Sequence, residues 1–286
     1  MLRQFSVDRE GGPEWLASLP GLVDELLHRW GCVPDGPAVS GKVGIIVPAK
    51  SAAHGDVVLK VSFPHPFNMH EPDAYAIWRG HGAVAMWEHD DASFAMLLER
   101  VGPDRPIDAV SVDDAIAIAG DLARKLAVPA PPHLPRLSDE ACDWTDIIQR
   151  SEAHLPAHVV DAARETVRDL CLSQPDTMVH GDLHFNNMLR GVREPWQVID
   201  PTGCAGDPAF DALTLLRTTA IHLLDPGDFP VILRWVEIFA EAAELEPDRV
   251  RRWAQVRAVV RAEQAVERKA PQWVRDASNE IAILLT

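Results

Sequence analysis

Apolar and polar positions alternate in two ways along the chain, and the change of period divides it into a strand-rich first third and a helical remainder. Residues 13–30 place Trp15, Leu16, Leu19, Leu22, Val23, Leu26 and Leu27 at helical spacing, which predicts one or two amphipathic pieces broken near Pro20-Gly21. A Pro/Gly-rich loop follows at 33–37. Residues 38–48 (AVSGKVGIIVP) and 57–62 (VVLKVS) read as strands, and 83–87 with 93–98 as a hairpin turning at His89-Asp90-Asp91. One helix, 71–80, interrupts them, with Pro72 in its first turn, where its missing N–H goes unneeded. Arg100 to Pro106 (RVGPDRP) reads as a linker, after which helices are expected at 107–128, 139–150, 155–171, 209–224, 228–244, 247–269 and 272–285. Four prolines between Pro129 and Pro135 make a break. Short apolar runs at 178–179, 188–189 and 196–199 are strand-like. The class is therefore α+β in two lobes, a small β-rich one over 1–99 and a larger, mostly helical one over 100–286.

Charge narrows the partners. The formal net charge is −16, from 43 acidic and 27 basic residues, which argues against a nucleic-acid binder and suits a cationic small-molecule substrate. The four cysteines are scattered without a CxxC pair, so neither a zinc cluster nor a disulfide framework is indicated. The first residues lack an apolar signal core and no apolar run approaches membrane-spanning length, so a soluble, cytoplasmic monomer is expected.

The candidate chemistry sits at 178–200, MVHGDLHFNNMLRGVREPWQVID. Asp182 and Asn187 are five apart, and Asp200 lies eighteen beyond Asp182, all between short apolar runs. A base, an amide oxygen and a second carboxylate suit metal-assisted phosphoryl transfer. Such a site also needs a cation on the nucleotide phosphates. Lys60, inside an otherwise apolar strand, is the candidate, against the alternative of a lysine facing solvent. Glu71 is either its ion-pair partner or a solvated glutamate at a helix start. Ser40-Gly41-Lys42 and Gly44 form a glycine-bearing turn that would let the backbone approach a nucleotide, or an ordinary hairpin turn; a Walker-type GxxxxGK[ST] is absent. His180 and His184 taken alone read as turn or core histidines. The acids at 139, 140, 143 and 146, and Glu263 with Glu267, read as solvated helix faces, with reception of an ammonium or guanidinium group as the alternative.

His180-Gly181-Asp182-Leu183-His184, Asn187, Val198-Ile199-Asp200-Pro201 and Gly206-Asp207-Pro208-Ala209-Phe210-Asp211 resemble the aminoglycoside phosphotransferase family, and within it the streptomycin 6-phosphotransferase/hydroxyurea kinase branch. Leu59-Lys60 and Leu97-Leu98-Glu99-Arg100 match in the first third. The resemblance implies the protein-kinase-like two-lobed fold, with ATP and Mg2+ bound between the lobes. It implies Asp182 as catalytic base and Asn187 and Asp200 as magnesium ligands. It implies Lys60 on the α/β-phosphates with Glu71 orienting it, and a hinge at Leu98–Val101, including Glu99, that offers backbone groups to adenine. His180, Asp207 and Asp211 are implied as supports of the catalytic loop. The family pattern is altered at Phe185-Asn186, which leaves Asn186 and Asn187 both possible ligands, spacing favouring Asn187. The implied reaction is phosphorylation of a small-molecule hydroxyl, on a streptomycin-like aminoglycoside, an amino sugar or another hydroxylated metabolite. A non-catalytic nucleotide-binding protein is the competing class, and the joint presence of Lys60, Asp182, Asn187 and Asp200 argues against it.

Overall fold

A computed structural model describes residues 10–286 except Lys42, Phe67 and Pro226; the first nine residues and Lys42 of the glycine turn therefore lie outside the described residues. Two compact units emerge. One takes the chain up to Pro103 together with Gly191–Thr202, the other takes Asp104–Arg190 and Gly203–Thr286.

The first unit is built on a six-stranded antiparallel sheet. Its strands are β1 (Cys32–Pro34), β2 (Val39–Ser40), β3 (Gly44–Ser51), β4 (Gly55–Ser62), β5 (Met86–Asp90) and β6 (Ala95–Glu99), in the order β1-β3-β4-β6-β5 with β2 also on β3. Strand alternation sends Val57, Leu59 and Val61 to one face, where they are fully buried with Leu19, Leu26 and Leu27 of the helix Gly12–Arg29. Burying aliphatic side chains of this size stabilises by about 1.5–3 kcal/mol each. That helix is continuous. Pro20 lies inside it and does not break it, because the ring is exposed and the apolar stripe on either side holds one face to the sheet. β1 occupies what reads as a loop, and the second hairpin turns at 91–94 instead of 89–91. Residues 191–202 join this unit by pairing: Val198 and Ala83 form a parallel bridge, with Val84 N–H donating to the Val198 carbonyl at 3.1 Å and Val198 N–H to the Gly82 carbonyl at 2.9 Å.

The second unit is mainly helical. Its long helices are Val112–Leu126, Ala157–Leu170, Ala212–Leu223, Val231–Ala243, Pro247–Glu267 and Gln272–Leu284. The helix expected over 107–128 is interrupted after Ala109, and Ser111 restarts it by accepting the Asp114 N–H at 3.2 Å. Thr177–Val179 pairs antiparallel with Cys204–Gly206, a three-residue strand of small side chains, too short to stand out as an apolar run. Glu263, expected on a solvated face, is buried, its carboxylate 2.8 Å from His154 Nε2 and 3.7 Å from Arg150 Nε. Glu267 pairs with Arg150 as well, at 2.8 Å, while Asp143 and Asp146 are exposed. Among the described residues no helix is long and apolar enough to cross a membrane.

Candidate active site

Lys60 points to the face of β4 opposite Leu59 and Val61, and it is only 7 % exposed. Its ammonium donates to Glu71 Oε1 at 2.5 Å and to Asp200 Oδ1 at 2.6 Å. Glu71 stands at the start of the helix Glu71–Trp78 and is 2 % exposed, so of the two sequence readings the ion pair is the one the fold adopts. Pro72 does not prevent this, since the first turn has no backbone acceptor for the N–H that proline lacks. Tyr75, one turn on in that helix, was not singled out in the sequence. Its hydroxyl accepts the Asp200 backbone N–H at 2.9 Å, which fixes Asp200 in a left-handed conformation at φ 56°. Burial works against the Lys60 ammonium, but Asp200 and Glu71 outweigh it and hold its pKa above the ordinary lysine value. Burial lifts the Glu71 carboxyl to about 7, with Lys60 opposing the shift and Asp200 adding to it.

Ser40 is exposed on β2, and Gly41 N–H donates to the Gly44 carbonyl at 2.8 Å, an internal turn contact. Gly44 is required by packing: a Cβ there would meet the Val61 carbonyl oxygen at 2.7 Å. The Glu99 side chain is buried and committed internally. It accepts from Arg193 Nε at 2.9 Å and Nη2 at 2.7 Å, from Gln197 Nε2 at 3.1 Å and from Ala85 N–H at 3.0 Å. Its own N–H donates to the Ala85 carbonyl at 2.8 Å. Arg193 lies in a loop without periodicity, so no sequence signal marked it.

In the second unit the backbone of the 180–187 loop is held by buried side chains. Asp211, fully buried, accepts His180 N–H at 2.8 Å and Gly181 N–H at 2.7 Å. Gly181 has φ 82°, a conformation that suits glycine and turns its N–H toward Asp211. Asp182 N–H lies 3.3 Å from His180 Nδ1, and the Asp182 carboxylate is partly exposed. His184 Nε2 stands 3.6 Å from Asp182 Oδ2, beyond hydrogen-bond reach. Burial alone would raise the Asp182 carboxyl, but His184, His180 and Arg257 prevail and bring it down to about 2. Asn187 is 6 % exposed; its Nδ2 donates to the Asp182 carbonyl at 3.0 Å, and among the described residues no group donates to its Oδ1. Asn186, by contrast, has its Oδ1 taken by Arg105 at 2.7 Å. Asp207 accepts the Trp253 indole N–H at 2.7 Å and an Arg249 guanidinium, tying the 207–211 segment to the helix Pro247–Glu267. Arg257 donates to the Phe210 carbonyl at 2.8 Å and covers the Phe210 ring at 3.8 Å.

A lysine–glutamate pair under a six-stranded sheet, an αL aspartate after a short strand and an Asp…Asn loop on a helical unit define a kinase-like small-molecule phosphotransferase. Comparisons with known proteins agree. The model of the aminoglycoside/hydroxyurea antibiotic resistance kinase family matches residues 29–268. The streptomycin 6-kinase of Streptomyces glaucescens is 36 % identical over 251 residues, 85 % of this chain and 82 % of that protein. The hydroxyurea phosphotransferase of Kitasatospora aureofaciens is 36 % identical over 217 residues, 72 % of this chain and 63 % of that protein. Among solved structures, a choline/ethanolamine kinase family protein from Mesorhizobium loti aligns with a TM-score of 0.61 at 18 % identity, covering 92 % of this chain and 94 % of that one. A thermostable aminoglycoside phosphotransferase, APH(4)-Ia, in complex with ADP and hygromycin B aligns with a TM-score of 0.60 at 16 % identity, covering 91 % and 97 %. The chain belongs to the aminoglycoside/hydroxyurea antibiotic resistance kinase family.

Proposed function

We propose that this kinase uses ATP and magnesium to phosphorylate a hydroxyl of a streptomycin-like aminoglycoside in the cytoplasm, where ATP is available, and that it does so as a monomer. The observation that carries the reading is the support of Asp182: Asp211 fixes the loop backbone, while Asn187 grips the Asp182 carbonyl. Asp182 accepts the proton of the acceptor hydroxyl. A bond forms from that oxygen to the γ-phosphorus as the bond to the β–γ bridging oxygen breaks, and its electron pair leaves with ADP. Lys60 holds the α/β-phosphates and Glu71 holds Lys60. The 98–101 backbone receives adenine, and the turn at Ser40-Gly41 covers the phosphates.

The donor set fits magnesium. Among the described residues no group of three or more His, Cys, Asp or Glu side chains is placed to hold a metal alone. Magnesium asks for less than that, one or two protein oxygens beside substrate phosphates and water. The Asn187 Oδ1 and the Asp200 carboxylate are hard oxygen ligands that would hold it. When bound, it neutralises charge on the phosphates. The two curated relatives described above support streptomycin and hydroxyurea as the first acceptors to try.

The test is an ATP-consumption screen over streptomycin, other aminoglycosides, amino sugars, hydroxyurea and simple hydroxylated metabolites. Streptomycin should give stoichiometric ADP and a phosphorylated product. Turnover of another acceptor with none of streptomycin would replace the substrate and keep the reaction. Nucleotide binding without transfer to any acceptor would turn the reading to a binding protein.

A further inference from the structure

Asp200 has a backbone that its own sequence disfavours. It follows the short strand Trp196–Val198 and adopts φ 56°, a left-handed conformation that few residues with a side chain take up. Pro201 comes next in the chain. A proline biases the residue before it toward extended backbone, with φ of about −120°. Two local preferences therefore oppose the conformation of Asp200, and such a residue persists only where its surroundings hold it. Lys60 and Tyr75, in the same unit, both reach it. Lys60 donates to Oδ1 at 2.6 Å, and the Tyr75 hydroxyl accepts the backbone N–H at 2.9 Å.

The two contacts differ in kind. Lys60 takes a carboxylate oxygen, the type of atom that magnesium would also use, and Lys60 is itself the residue proposed for the α/β-phosphates. Tyr75 takes the peptide and leaves the carboxylate alone, so its hold competes with neither nucleotide nor metal. Tyr75 is well fixed, being 1 % exposed in the helix Glu71–Trp78. A hydroxyl that accepts one hydrogen bond still has its proton to donate. Glu71, one helical turn back on the same face, receives it. Glu71 in turn accepts from Lys60 at 2.5 Å. The hydrogen bonds close a ring through Lys60, Glu71, Tyr75 and Asp200. One short helix thus governs the lysine through Glu71 and the aspartate through Tyr75. Filling the core asks only for an aromatic ring, so the hydroxyl is the part that serves Asp200.

We infer that Tyr75 is a positioning residue for magnesium: by holding the Asp200 peptide in its left-handed conformation, the Tyr75 hydroxyl sets the affinity with which the Asp200 carboxylate binds the metal. The inference rests on the kinase reading, in which Asp200 is a magnesium ligand. Groups that orient a ligand without touching the metal are worth about 10–100-fold in affinity or activity.

The experiment uses the full chain saturated with ADP and titrates magnesium by calorimetry. Tyr75→Phe keeps the ring and removes the hydroxyl. It should weaken magnesium by about 10–100-fold and leave ADP affinity, measured without magnesium, unchanged. In turnover it should lower kcat at limiting magnesium, regain wild-type kcat at saturating magnesium and leave the acceptor KM unchanged. Pro201→Ala on the Tyr75→Phe background should recover part of the magnesium affinity, because the bias toward extended backbone goes with the proline. Magnesium affinity equal to wild type in Tyr75→Phe would overturn the inference, as would a kcat that stays low at every magnesium concentration. No recovery from Pro201→Ala would overturn the route through the Asp200 backbone. Should Tyr75→Phe not fold, the unsubstituted chain decides. Tyr75 is its single tyrosine, so incorporated fluorotyrosine gives one fluorine resonance. Magnesium added to the ADP complex should shift that resonance, and should leave it in place in Asp200→Asn; a resonance indifferent to magnesium in the unsubstituted chain sinks the inference. Wild-type enzyme that phosphorylates no acceptor would instead defeat the kinase reading, and the magnesium titration would still report on Tyr75.

Discussion

Gly181 donates its backbone N–H to Asp211 Oδ1 at 2.7 Å, across thirty positions of sequence, while the neighbouring His180 N–H takes the other carboxylate oxygen. One buried side chain thus fixes two consecutive peptides immediately before Asp182, the proposed base. Asp211→Asn keeps the shape but turns an NH2 donor toward a backbone donor, leaving that N–H unmade in the interior. The expected loss is about 1–3 kcal/mol, a fall of several degrees in the thermal midpoint by about 2–4 °C per kcal/mol for a chain of this size. Catalysis should fall further than stability, because Asp182 is displaced. Differential scanning calorimetry with turnover measured well below the midpoint checks both; full activity in a folded Asp211→Asn protein would refute the support role.

Asn186 and Asn187 are neighbours with opposite commitments. Asn186 Oδ1 is engaged by Arg105, whereas Asn187 Nδ2 holds the Asp182 carbonyl and its Oδ1 receives nothing from the described residues. Asn187→Ala should therefore raise the magnesium concentration giving half-maximal rate and lower kcat, by about 10²-fold. Asn186→Ala should change both less than threefold. Magnesium titrations of the two variants separate them, and the reverse ranking would move the ligand to Asn186.

Asp182→Asn tests the base itself. Its carboxylate is partly exposed, and the backbone carbonyl that Asn187 grips survives the change, so the thermal midpoint should move by less than about 2 °C. A general base contributes about 10²–10⁴-fold, and kcat should fall within that range. Near-normal turnover in a folded Asp182→Asn protein would remove Asp182 from the chemistry.

The legible part of this molecule was local. The candidate residues Asp182, Asn187 and Asp200 stand within one short stretch, where a motif can be recognised, and Lys60 drew notice as a charge in an apolar strand once that motif called for a cation. What could not be read were the partnerships. Lys60 and Asp200 meet across 140 positions, and whether Glu71 faced solvent or the lysine depended on how the helix Glu71–Trp78 docks. Pro20 misled because a proline's effect depends on which side of a helix it faces, and strand β1 hid in a Pro/Gly-rich stretch because its ladder is made with β3. Arg193 escaped because a single arginine in a loop has no periodic signature, and its significance comes from what folding brings beside it.

Glu71 supplies a pH test with a defined sign. Its folded pKa, about 7, lies above the ordinary 4.5, so the folded chain keeps this proton after the unfolded chain has lost it. The stability it contributes is complete below about 4.5 and is lost as pH rises to about 7, after which it stays constant. Glu71→Gln has no such proton. In nucleotide-free protein, the thermal midpoint of wild type minus that of Glu71→Gln should shrink across this window and level off above it. A difference that widens with rising pH would mean that Lys60, and not burial, dominates Glu71.

Gly80 and Arg193 give the sharpest steric test. Gly80 adopts φ 80°, and a Cβ built on it would lie 2.5 Å from Arg193 Nη1. Arg193 cannot yield cheaply. Its Nη1 donates to the Gly80 carbonyl at 2.8 Å, and its Nε and Nη2 hold both oxygens of buried Glu99. Swinging the guanidinium away would leave Glu99 with the Gln197 amide and the Ala85 N–H alone. Gly80→Ala therefore combines left-handed strain of about 1–2 kcal/mol with a weakened ion pair in which Glu99 is buried but Arg193 is 39 % exposed, so that losing one partner is worth less than the about 3–5 kcal/mol of a fully buried pair. The expected loss lies between the strain alone and that sum, read from the shift in urea midpoint at unchanged slope. Arg193→Ala should remove the clash, so Gly80→Ala on that background should cost only the strain. Additive losses in this double-mutant cycle would show that the two residues do not oppose each other.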